Sequence, residues 1–345
     1  MKSRLGFIGA VLLAGVAAHP AAAGITRTTD GEVALANLDQ LVVQQGDLPG
    51  GEELLMLRAR FVADYDALLR AARIADAVAD DAPSLLRRAR VRAAVHRFDD
   101  ARADVQAAEA RGVRASDTLL LRASIASAQG RAIEVLGDVE ALARARPGYA
   151  ALGALAAAYA SLGRYDDADR AFATALATLD TTSPFPNAWI WFARGTMWAE
   201  QAGDAALGER ALRRALDYLP GYVQANVHLA ELEIARGERA GAEARLQRVV
   251  ASREPEVLAL LGQLHANDPA RGISEVAAAR VRFETLLRDL PLAFADHAAE
   301  FYLGAGEDPG RALELARLNY SIRQTARARA LLGRAEARFT SRNAK

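Results

Sequence analysis

From Tyr149 onward the sequence repeats one arrangement about every 34 residues. A helix with a small, apolar face leads into a Gly-centred turn, and a second helix then opens on an aromatic residue. The clearest copy runs Tyr159-Ala-Ser-Leu162-Gly163-Arg-Tyr165-Asp-Asp-Ala168, followed by Phe172 and Ala175. A two-helix unit of this kind cannot bury its own apolar side, so successive copies must stack. Unit starts at 48, 82, 116, 149, 189, 223 and 257 are separated by 34, 34, 33, 40, 34 and 34 residues. Apolar residues recur at helical spacing after Asp30, no stretch alternates as a strand would, and Ala, Leu and Arg dominate.

The residues within the repeat each have a physical task. Small side chains such as Ala156 and Ala168 let paired helices approach closely, and Tyr159 and Phe172 fill the gap toward the next pair. Gly130, Gly163, Gly203 and Gly237 suit turns that need positive φ, with His96 at the corresponding turn of the 82–115 unit, where it reads as polar surface. Pro147 and Pro220 end second helices. The spacing of 40 comes from an inserted loop, Thr181-Thr-Ser-Pro184-Phe-Pro186. It precedes Trp189, Trp191 and Trp198, which read as packing between units.

These units resemble tetratricopeptide repeats. The 149–182 unit carries Leu155, Ala156, Tyr159, Gly163, Tyr165, Ala168, Phe172 and Ala175 at the family's positions, and the 189–222 and 223–256 units keep most of theirs. The resemblance implies an all-α solenoid of helical hairpins wound into a right-handed superhelix with a long concave groove. The expected organisation is a signal peptide at 1–23, an N-terminal helix within 24–47, and six repeats over 48–256. Two irregular repeats over 257–324 and a closing helix with a basic tail at 325–345 complete it, the closing helix turning its arginines to water. Asp30 is the expected N-cap of a helix from Gly31 to Gln44.

The N-terminus bears on compartment. Lys2 and Arg4 precede an apolar run from Leu5 to Ala18, and His19-Pro20 then leads to small residues with Ala21 and Ala23. This order is that of a secretory signal cleaved after Ala23. The run of 14 residues reaches only about 21 Å as a helix, short of a bilayer's hydrocarbon core. The expected product is a soluble periplasmic protein with no transmembrane segment. Without cysteine, neither a disulfide nor a lipid-acylated Cys is available.

With 43 basic and 43 acidic residues the chain lacks the basic excess that nucleic-acid binding requires. The balance is uneven along the chain: 11 acidic and 5 basic residues from Gly24 to Asp81, against 9 basic and 2 acidic from Arg311 to Lys345. No nucleophile elbow, phosphate loop or His-Glu zinc motif occurs, and Gly304-x-Gly306-x-x-x-Gly310 lacks a preceding strand. No catalytic residue and no cofactor is expected.

By the resemblance, groove-facing positions are Met56, Arg87, Arg90, Ser124, Arg194, Met197, Gln224, His228, His265, His297 and Phe301, with Arg87 and Arg90 able to engage an acidic segment. The expected function is a non-enzymatic scaffold that holds a protein or extended peptide in the groove. Alternatives are a metal-handling accessory protein using His228, His265 and His297, and a support domain in a cell-envelope enzyme complex.

Overall fold

The computed structural model describes residues 28–343; the expected signal peptide and its cleavage site lie outside them. These residues form 18 α-helices and no strand. An N-terminal helix α1 (Gly31–Gln45) is capped by Asp30, whose Oδ1 accepts from the backbone N–H of Glu32 at 2.9 Å and of Val33 at 3.2 Å.

Eight hairpins follow. They are α2 (Glu52–Val62) with α3 (Tyr65–Asp76), α4 (Ala82–Ala94) with α5 (Phe98–Ala110), α6 (Ala115–Ala128) with α7 (Leu136–Ala145), and α8 (Tyr149–Ser161) with α9 (Tyr165–Ala177). Next come α10 (Phe185–Thr196), prolonged by a π-helical turn over Met197–Ala202, with α11 (Ala205–Tyr218), then α12 (Val223–Ala235) with α13 (Arg239–Val249). The last two are α14 (Pro255–Leu264) with α15 (Pro269–Asp289), and α16 (Pro291–Leu303) with α17 (Pro309–Ile322); α18 (Ala326–Asn343) closes the chain.

The hairpins owe their tightness to residues without bulk. Ala156 and Ala168 are fully buried, and a Cβ on Gly208 would stand 2.5 Å from that of Ala199, so α11 lies against the π turn where nothing larger fits. Aromatics fill the gaps between units: Trp189 lies edge-on to Tyr149 and Phe172, at centroid distances of 6.0 and 6.4 Å.

The coil is tighter than an open groove would require. The hydroxyl of Tyr65 on α3 donates to Glu254, 189 residues on, and Gln224 Nε2 donates to the same hydroxyl at 2.9 Å. His96 Nδ1 meets the carbonyl of Leu292 at 3.0 Å, 196 residues away. The Gln324 N–H donates to the Gln129 carbonyl at 3.2 Å, and Arg323 reaches the carbonyl of Ala128. The separations of 189 to 196 residues lie between five and six 34-residue units, so the superhelix returns to its starting hairpins after that interval and forms a seam. Phe61 on α2 seals it further, with ring centroids 4.9 Å from Phe185 and 4.8 Å from Tyr222; burying a Phe of this kind contributes about 2 kcal/mol.

The inserted loop belongs to this closure. It supplies Phe185 against Phe61, and its Thr182 carbonyl accepts from the N–H of Thr29 at 2.7 Å. His96 corrects the expectation of polar surface. It holds φ +60°, is 1% exposed, and stacks on Phe98 at 5.2 Å. A left-handed non-Gly residue tolerates this strain because the seam bond and the stacking hold it in place.

Two turn glycines separate the local task from the seam. Gly163 and Gly130 have φ +76° and +80°, but a Cβ at Gly163 meets nothing within 4 Å, whereas at Gly130 it would stand 2.8 Å from the Gln324 carbonyl oxygen. Gly163→Ala is expected to cost about 1 kcal/mol of unfolding free energy, the backbone penalty alone. Gly130→Ala is expected to cost at least about 1 kcal/mol more in the same urea titration, because the seam must shift. Equal losses would show that the seam does not hold in solution.

Candidate functional site

The inner face of the coil is built from first helices, and its two halves differ because their side chains differ. Around α2, α12, α14 and α16 large and charged residues fill the interior. Around α6, α8 and α10 the inward positions are small, and the opposing wall is α18.

The filled half holds a chain of buried ionisable groups. His228 on α12 lies 2.9 Å from Glu200 and 3.2 Å from Glu231. Burial opposes its charge, but the two carboxylates outweigh that and push the imidazole up to about 10. Burial pushes Glu231 up to about 7, against the pull of His228. His297 on α16 contacts Glu256 at 2.6 Å, and against burial the Glu256 and Asp296 carboxylates raise it to about 9. Asp296 pairs with Arg323 at 3.1 Å and, although burial opposes ionisation, His297 and Arg323 hold it well below the usual carboxylate range. Glu254 is pushed up to about 7 by burial and by Glu256 beside it, and His96 is pressed down to about 3 by burial and by Arg323.

The other half is hollow. A space of about 490 Å³ lies between Ser124, Ser127 and Ala128 of α6, Ala157, Ala160 and Ser161 of α8, and Ala193, Met197 and Glu200 of α10 and its π turn. Its far wall is Glu300 of α16, Arg323, and Ala326, Arg327, Ala330 and Arg334 of α18. The charges on these walls are matched: Arg327 binds Glu200 at 2.5 Å, Arg334 pairs with Glu300, and Arg323 with Asp296. The Ser127 hydroxyl oxygen is buried and finds no hydrogen-bond partner within the described residues. Tyr165 and Phe172 of α9 complete the floor.

Of the residues singled out by sequence, Ser124 and Met197 meet in this hollow. The rest are distributed through the coil. Arg87 bonds Ser84 at 2.8 Å and lies 3.8 Å from Glu52, while Arg90 lies 3.6 Å from Glu53, so both guanidinium groups face acidic partners of the same chain. Arg194 clamps Asp169 through two bonds of 2.9 and 2.8 Å and stacks on Trp191. Gln224 sits in the seam, and Phe301 is buried against Phe283 and Tyr302, each ring 5.0 Å away. Met56 packs partly buried against the core.

His228, His265 and His297 occupy separate ion pairs, His265 lying between Glu275 at 2.6 Å and Glu243 at 2.8 Å. Among the described residues no three His, Asp or Glu side chains are grouped to hold a metal ion.

Glu200, Glu300, Arg323, Arg327 and Arg334 were not singled out. Arg329 and Arg338 of α18 are exposed, as a closing helix suggests, but Arg327 turns inward to Glu200 because the coil brings the π turn opposite it. The signal for the hollow was available in the small residues at inward phases of three successive first helices.

Residues 199–264, spanning the end of the fifth hairpin through the first helix of the seventh, match the family model of the tetratricopeptide repeat. The fold is an all-α solenoid of helical hairpins. No curated protein matches the chain in sequence at a significant level. Solved structures that resemble it include one described as the APC/C hetero-tetramer Cut9-Hcn1, at 17% identity and a TM-score of 0.46, covering 89% of this chain and 67% of that one. Another is a tetratricopeptide repeat protein from Parabacteroides merdae, at 17% identity and a TM-score of 0.43, covering 74% of this chain and 98% of that one. No described helix is long and apolar enough to cross a membrane.

Proposed function

We propose that this protein is a non-enzymatic, exported scaffold that holds a segment of a partner protein against the inner face of α6, α8 and α10. The observation that carries this reading is the hollow itself. A space of about 490 Å³ lies between the third, fourth and fifth hairpins and α18, where the inward side chains of three first helices are small. A volume of this order, apolar with a few polar groups at its edge, is that of a binding site rather than a packing defect. Export to the periplasm is supported by the basic, apolar, small-residue order of the first 23 residues.

Recognition takes place at one end of the interior. Gln224 of the seam and His228 and His297 of the filled half then support the site from behind, and Ser124 and Met197 touch the partner. The test is a pull-down from envelope extract with the chain lacking residues 1–23, compared with Ala157→Phe and Ala330→Phe, which fill the hollow from opposite walls. A partner recovered by the parent chain and lost from both filled variants, with unchanged circular dichroism and Tm, supports the proposal. Identical sets of captured proteins would remove the hollow from the function.

A further inference from the structure

The chemistry of the hollow is more specific than its shape. Every cation on its wall has an anionic partner within the chain: Arg327 has Glu200, Arg334 has Glu300, and Arg323 has Asp296. An acidic ligand would have to break one of these pairs and leave a carboxylate of the wall without its counter-ion. A basic ligand meets the same obstacle from the other side. The remaining wall is mostly apolar, made by Ala128, Ala157, Ala160, Phe172, Ala193, Met197 and Ala330, with the uncharged polar side chains of Ser124, Ser161, Tyr165, Gln201 and Thr325 among them.

Resting on the scaffold reading above, we infer that the segment bound here is uncharged and apolar, inserting bulky aliphatic or aromatic side chains between α8 and α18. This differs from the acidic segment expected from Arg87 and Arg90, whose guanidinium groups face Glu52, Ser84 and Glu53. Small floor residues on three successive helices supply the depth that large anchors need, and anchors buried in such depressions carry most of the affinity of an interface. The hollow opens to solvent, so a chain segment can enter it.

The experiment is a fluorescence titration of the chain lacking residues 1–23 with N-phenyl-1-naphthylamine, an uncharged apolar probe. Saturable enhancement with one site per chain is expected, weakened about tenfold or more by Ala330→Phe and by Ala157→Phe, since each fills a volume the probe needs. Ala330 is exposed on α18, so its substitution leaves the hairpins intact if Ala157→Phe does not fold. A bound probe is then challenged with three competitors: a capped heptapeptide of Leu, Phe and Ala, the same peptide carrying two Asp, and dodecanol.

The neutral peptide should displace the probe at least about tenfold better than the acidic one, because an unpaired carboxylate is costly in this setting. Absence of probe binding, or equal displacement by both peptides, would overturn the inference. Displacement by dodecanol alone would also overturn it, since the occupant would then be a hydrocarbon chain. Probe and peptide binding together with an empty pull-down would leave the site's chemistry intact and remove the scaffold reading.

Discussion

Asp296→Ala is expected to be among the most destabilising single changes in this protein, lowering the unfolding free energy by about 3–5 kcal/mol, as removal of one partner of a buried ion pair does. Asp296 is 3% exposed and Arg323 is 6% exposed. The carboxylate faces Arg323 at 3.1 Å, lies beside His297 and Arg327, and carries the charge that offsets three cations. Its removal leaves Arg323 buried without its counter-ion, and Arg323 is also the side chain that reaches across the seam to the Ala128 carbonyl. The loss is therefore expected to appear both in stability and in closure of the coil. The double variant Asp296→Ala, Arg323→Leu should recover part of the stability, because it removes the buried guanidinium left without its counter-ion, while His297 and Arg327 still lack the Asp296 charge. Urea titrations of the four proteins check this. A single-variant loss below about 1 kcal/mol, as exposed pairs show, would contradict the burial of this pair.

Stability is also expected to fall steeply on the alkaline side. His228 and His297 have folded values near 10 and 9, above the ordinary imidazole value of 6.5. Their contribution is complete below pH 6.5 and is lost as pH rises through 9 and 10. Glu231 and Glu254, near 7 instead of 4.5, act in the same direction: their neutral forms are favoured in the folded chain, and that contribution is lost as pH rises through 7. Asp296 and Glu200, both held below the ordinary range despite burial, contribute above about pH 4 and lose that contribution in acid. His96, pressed down to about 3, likewise favours the folded state above pH 6.5 and opposes it increasingly as pH falls.

The sum places the maximum near pH 5, with Tm lower by about 5 °C or more at pH 9.5. Calorimetry across that range is the check. A flat profile from pH 6 to 9.5 would contradict it, and His297→Gln should flatten the upper limb of a genuine decline.

The hairpins were legible because their determinants are local. Gly163 needs positive φ, Tyr165 and Phe172 need a neighbour, and Asp30 caps the helix that follows it; each can be read within a few residues. Closure of the coil was not legible in the same way. It depends on a small rotation at each hairpin, accumulated over five to six of them, and a period of 34 residues says nothing about that rotation. This is why His96 read as surface yet is buried against Leu292, and why Arg327 on a closing helix meets Glu200. The hollow follows from both levels. Small residues at Ser124, Ala157, Ala160 and Ala193 were visible in the chain, but only closure sets α18 opposite them.

The seam can be measured directly, since a chain without cysteine accepts two engineered ones cleanly. Spin labels at Gln129→Cys and Gln324→Cys report on residues whose backbones are joined by a 3.2 Å hydrogen bond. In a closed coil the two labels are near neighbours and show strong dipolar broadening. In an open solenoid the intervening five to six hairpins, at about 10 Å each, would hold them roughly 50 Å apart, and that distance would contradict a superhelix that closes on itself.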